Sequence, residues 1–119
     1  MWIFLNDAFV SIVADRNDRT RFLVRGRLPG DIECLWPEAE VLEGQGSDYR
    51  FRAYLPRASV VKAITNRLRD VDYGNFKGSV RQSRRHDAYF EVWDAMFRAQ
   101  EAAYDTRPYP EPFDDDAVL

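Results

Sequence analysis

The chain has 119 residues, 45% hydrophobic and 14% aromatic, a one-domain length with ample material for one core, so wholesale disorder is excluded. A formal net charge of −3 marks no obligate polyanion binder, and a single cysteine, Cys34, excludes an intramolecular disulfide or a thiolate metal cluster. The opening MWIFLNDAFVSIVADR has no basic leader region and is broken by Asn6 and Asp7, so neither a secretory signal nor a span of about 20 apolar residues is expected, and a cytoplasmic protein without a membrane partner is.

In chain order, Trp2–Leu5 predicts a first short strand, and Asn6-Asp7-Ala8 a turn. Phe9–Ala14 predicts a second strand because β-branched and aromatic residues suit a pleated surface. After the polar turn DRNDRT, RFLVRGR alternates, with Phe22 and Val24 on one face and Arg21, Leu23 and Arg25 on the other. Asp31–Trp36, following Pro29-Gly30 and stopped by Pro37, predicts a short helix with Asp31 at its positive end. A second hairpin follows, AEVLE and YRFRAYL joined by GQGSD. Tyr49, Phe51, Ala53 and Leu55 are expected on one of its faces, and Arg50, Arg52 and Tyr54 on the other.

Beyond Pro56 the period lengthens to helical. Val60, Val61, Ile64 and Leu68 form an expected inward stripe, with Lys62, Arg67 and Arg69 facing away. A short helix over 75–81 is expected to turn Tyr73, Phe76 and Val80 inward. A long one over 84–104, with Ser83 as N-cap, is expected to bury Tyr89, Phe90, Trp93, Met96 and Phe97. The remainder, DTRPYPEPFDDDAVL, has three prolines and five acids and predicts an extended acidic tail. The expected fold is α+β. It has an antiparallel sheet of about five strands in two meander or hairpin units, with two to four helices packed on one face. The domain covers residues 1–104 and the tail 105–119.

The residues argue against familiar catalytic sites. His86 is the only histidine, and a triad or zinc site needs partners that SRRHDAY does not supply, so it reads as a solvent-facing or capping residue. Cys34, between Glu33 and Leu35, reads as a buried structural thiol whose acidic neighbours raise its pKa. Asp70 with Asp72, and Asp114–Asp116, lack EF-hand spacing. GQGSD sits between strands without the Gly-Lys-Ser/Thr of a phosphate loop. No enzyme, metal or cofactor is implied.

Charge is unevenly laid out. Fifteen of the seventeen cationic residues are arginine, a planar fork suited to carboxylates and phosphates. From Asp31 to Asp48 there are six acids and no bases, whereas from Arg50 to Arg85 there are ten bases and two acids. Cross-strand pairs of Glu40 or Glu43 with Arg50 or Arg52 are expected to consume part of this charge. What remains defines a candidate partner-binding surface of Glu38, Glu40, Glu43, Arg50, Arg52, Arg67, Arg69, Lys77, Arg81, Arg84 and Arg85.

The phrases DYGNFKGSV, RHDAYFEVWDAM, MWIFLNDAFVSIV and DYRFRA resemble a family of short proteobacterial and mobile-element proteins. That resemblance covers residues 1–97 and brings no activity, implying only a bacterial or mobile-element origin. The leading functional expectation is a non-catalytic module that binds another protein or a protein–nucleic-acid complex. Its specific form is a mobile-element inhibitor of the anti-CRISPR type, whose acidic strip occupies an arginine-lined channel. Two alternatives stand beside it: a direct DNA or RNA binder using the arginine-rich region from Arg50 to Arg85, and a hydrolase built on carboxylates and His86.

Overall fold

The computed structural model describes residues 1–44, 46 and 48–104. The expected tail, and Gln45 and Ser47 of the expected turn, lie outside the described residues. By backbone proximity the described residues fall into two compact units, Met1–Arg81 and a second that begins at Gln82.

The first unit is an α+β fold on a five-stranded antiparallel sheet of order β1-β2-β3-β5-β4. Its strands are β1 Trp2–Phe4, β2 Phe9–Ala14, β3 Arg21–Gly26, β4 Leu42–Glu43 and β5 Phe51–Pro56. Register assigns the faces, because side chains opposite each other on paired strands share one. Val10 opposes Gly26, Ile12 opposes Val24, and Val24 opposes Ala53, while Phe22 opposes Leu55. Those residues form the core face, together with Ile32, Trp36 and Val60 from the helical segments. The other face holds the row Trp2, Ser11, Arg25, Arg52 and Leu42, one residue from each strand.

Local chemistry fixes the connections. In the β2–β3 turn the buried Asp15 carboxylate accepts from the Asn17 backbone N–H at 2.9 Å and from Arg21 at 2.7 Å. Gly30 precedes helix α1 (Asp31–Leu35) with φ +89°, a left-handed conformation that a side chain resists. Asp31 is 3% exposed, and its carboxylate accepts from the Phe9 N–H at 2.9 Å, tying α1 to the start of β2. Trp36, 2% exposed, ends that helix and donates its indole N–H to the Ser59 carbonyl at 3.0 Å. A Cβ at Gly26 would stand 3.3 Å from Ile32, so the absent side chain lets α1 approach β3.

Helix α2 spans Arg57–Arg69 and enters directly from β5 through Pro56. Its inward stripe is Val60, Ala63 and Ile64. Val61 and Leu68, expected inward, are exposed. Arg67, expected outward, falls on the inward column and reaches Asn6 and Asp7 in the β1–β2 turn. The inward column therefore ends on Arg67 rather than on Leu68, and apolar periodicity does not register its polar contacts. Helix α3 (Phe76–Ser79) begins at Asn75, whose side chain accepts from the Gly78 N–H. Val80 beyond it is buried, and Tyr73 and Phe76 are half-buried.

Two further expectations shift. The first strand of the second hairpin shortens to Leu42–Glu43, and Tyr49 lies outside β5. Strand alternation therefore does not extend to Tyr49. It stacks instead against the guanidinium groups of Arg25 at 4.4 Å and Arg27 at 4.1 Å.

The second unit is described over helix α4, Ser83–Tyr104. Ser83 is its first helical residue rather than its cap, since the His86 N–H already donates to the Gln82 carbonyl at 2.8 Å. Arg85 and Tyr89 are its buried residues, joined by a 3.4 Å hydrogen bond, with Gln82 accepting from Arg85 Nε at 2.8 Å. The other expected core rings face outward. Phe90, Trp93, Met96 and Phe97 are 47%, 43%, 61% and 43% exposed.

Candidate interaction site

The arginine-rich and acidic residues singled out in the sequence do not form one patch. Within the second hairpin Glu43 and Arg50 meet at 3.0 Å, an exposed pair that contributes little to stability. Glu38 and Glu40 are exposed between α1 and β4, and no ion pair holds them among the described residues. Arg52 stands in register beside Arg25 rather than beside an acid. Arg67 is committed to Asp7, and Lys77 is half-buried on α3. Arg69, Arg81 and Arg84 are exposed, whereas Arg85 is buried and presents no charge to a partner.

The cysteine has a defined setting. Cys34 is exposed, not buried as expected, and its thiol donates to Asp7 at 3.4 Å. Partial desolvation of the thiol, and the adjacent Asp7 charge and hydrogen bond, raise its pKa, outweighing Arg67. A protonated thiol is a poor nucleophile. Burial pushes Asp7 upward, but the Arg67 hydrogen bond and charge, helped by the thiol, outweigh this and hold it below its ordinary 3.8. His86 is half-buried, with Nδ1 3.6 Å from the Asp87 carboxylate on the adjacent residue. Among the described residues no three or more His, Cys, Asp or Glu side chains converge as metal ligands would, and no helix is long and apolar enough to cross a membrane.

An exposed row of large apolar side chains lies on α4. Phe90 and Trp93 stack with centroids 5.8 Å apart, and Trp93 and Phe97 at 5.3 Å with planes 4° from parallel. Trp93, Met96, Phe97, Gln100 and Tyr104 line one shallow groove along the helix. Positions 90, 93, 97, 100 and 104 alternate steps of three and four, the spacing of a seam that faces another helix. One border of this seam is acidic (Asp87, Asp94, Glu101), while the other carries Met96 and Ala103. The Asp94 charge is shared with Arg98 at 2.8 Å. Sequence reasoning found these rings but assigned them to the core. The available signal was their heptad spacing with acids on a single border. The chain matches no family model, no curated protein and no solved structure.

Proposed function

We propose that the protein is a non-catalytic interaction module that docks a basic amphipathic helical segment of another protein along α4. The observation that carries this reading is the exposed row Trp93, Met96, Phe97 and Tyr104 on a well-formed helix. Large aromatic side chains anchor helix-in-groove recognition, and a helix laid on this seam would bury them. Charge selects among occupants. In an antiparallel self-pair the acidic border would meet its own copy, and in a parallel one it would face Met96 and Ala103. A partner with lysines or arginines beside its apolar stripe instead meets Asp94 and Glu101 with opposite charge.

The narrower form of the proposal is an inhibitor of a nucleic-acid-handling complex, encoded by a mobile element and of the anti-CRISPR type. Basic helices in such complexes ordinarily face phosphate, and an acidic, aromatic strip of this size competes for that surface.

The test uses a fluorescent Leu/Lys amphipathic helical peptide as probe and fluorescence anisotropy as readout. Phe97→Asp and the charge reversal Glu101→Lys are each expected to weaken binding about tenfold. Glu91→Lys, on the opposite side of the helix, is expected to leave it unchanged. Equal binding by all three variants overturns the proposal. So does sedimentation showing a dimer that Phe97→Asp dissolves, which would make a second copy of the chain the occupant.

A further inference from the structure

The first unit carries a second charged feature, independent of α4. On the sheet face away from the core, Arg25 of β3 and Arg52 of β5 stand directly opposite each other. Like charges in opposed positions destabilise a sheet. Nearby arginines are matched to acids: Arg21 to Asp15 and Asp18, Arg27 to Asp48, and Arg50 to Glu43. Arg25 and Arg52 have no acid partner among the described residues, and the Nε of each is buried without a hydrogen-bond acceptor. Leaving a buried charged donor unmet is costly.

Arg25 is nevertheless held in place. It donates through Nη2 to the buried Ser11 hydroxyl at 3.0 Å, and its guanidinium lies 4.4 Å from the centre of the Tyr49 ring. Both arginines are half-buried, so each remains accessible in part. Two adjacent guanidinium groups without a carboxylate among the described residues, one of them anchored on a hydroxyl and a ring, offer the charge and the Nη donors that suit a multi-oxygen anion.

We infer that Arg25 and Arg52 form a binding site for a phosphate monoester group. A monoester carries between 1.5 and 2 negative charges near neutral pH, which roughly matches two guanidinium groups, and its three terminal oxygens can accept from both forks. The Nε atoms are closed to solvent, so the anion meets the Nη ends of the two guanidinium groups, and its charge offsets positive charge that no carboxylate among the described residues balances. The same anion lies between the two positive heads and screens their repulsion. A phosphodiester offers one charge and two free oxygens and fills this site less well.

The experiment follows the arginine Nε–Hε resonances of the full chain by NMR at low salt. Phenyl phosphate is the monoester probe and oligothymidylate the diester probe. Saturable shifts at Arg25 and Arg52 with phenyl phosphate are expected, with none at Arg69 or Arg81. Arg52→Gln is expected to weaken binding about tenfold, and so is Arg52→Lys, which keeps the charge but loses the fork. Arg50→Gln is expected to bind as the parent chain does. The lysine variant keeps the test informative if the glutamine variant misfolds. Absence of a saturable shift, equal affinity in Arg52→Lys, or equal shifts at Arg69 overturns the site. Tighter binding of oligothymidylate than of phenyl phosphate overturns the monoester assignment and makes this face a nucleic-acid surface.

Discussion

Trp36 joins α1 to α2, and replacing it with phenylalanine separates its polar contribution from its bulk. The indole is 2% exposed, and its N–H reaches the Ser59 carbonyl at 3.0 Å. Ser59 lies in the first turn of α2, so its carbonyl keeps a place in the helix's own hydrogen-bond ladder and is not orphaned. The lost hydrogen bond therefore costs its net worth, about 0.5–1.5 kcal/mol. The smaller ring leaves a void of roughly 40 Å³, worth about 1 kcal/mol at the usual cavity coefficient. Together these give about 1.5–2.5 kcal/mol, or a Tm lower by roughly 6–20 °C for a unit of this size. Trp36→Ala is expected to cost about 3–5 kcal/mol, a large share of any small domain's stability. Urea unfolding followed by far-UV circular dichroism reads both, with Trp2→Phe as an exposed control expected within about 0.5 kcal/mol of the parent. A Trp36→Phe midpoint indistinguishable from the parent would refute the reasoning, since neither the hydrogen bond nor the packing would then be holding α1 in place.

On α4, Met96→Ser is expected to change thermal stability by less than about 0.5 kcal/mol, and Phe97→Ser, which also loses the stack on Trp93, by about 0.5–1.5 kcal/mol, both below the cost of truncating a core ring. A fall of several kcal/mol would return those side chains to the core. Asp7 titrates below its ordinary value in the folded chain, so its contribution is fully present above the unfolded carboxylate pKa and is lost as pH falls through the folded one. The stability gap between the parent and Asp7→Asn is therefore expected to be below about 1 kcal/mol at neutral pH, because the side chain is half exposed, and to close under acid in pH-stepped denaturation. A gap that widened on acidification would contradict the ion pair with Arg67. Cys34 is expected to react with iodoacetamide slowly, with its rate midpoint above that of a free thiol. Asp7→Asn should move that midpoint down, and an unchanged pH–rate profile would remove Asp7 from the thiol's surroundings.

Alternation and helix period made most of the fold legible. The three-strand meander follows from residues whose neighbours in sequence are also their neighbours in space, and α1 and the return strand are marked by local period and by the breaks at Pro29-Gly30, Pro37 and Pro56. The face assignment of Phe22, Val24, Arg21 and Leu23 held because β3 is paired on both sides, which pins its alternation. Legibility failed where a side chain meets partners far away in sequence. Arg67 reaches back sixty residues to Asp7 from the inward column of α2, while Val61 and Leu68 are exposed. Tyr49 left the expected face because two arginines from β3 and its following loop received its ring. The charged site was legible only in composition. Arg52 was singled out as a surface cation, but its pairing with Arg25 depends on a register that no local pattern encodes. The α4 rings were read as core because amphipathic spacing describes a face and does not say what covers it.

The strand order also shapes how the chain reaches this arrangement. β1, β2 and β3 zip through neighbouring turns, but β5 must cross back over the whole segment from Arg27 to Arg50 to pair with β3. Closing that loop loses chain freedom before Trp36 and Ile32 find their seats, so assembly waits on this single encounter. Tightening the stretch between α1 and β4 should therefore quicken folding more than any change within the meander.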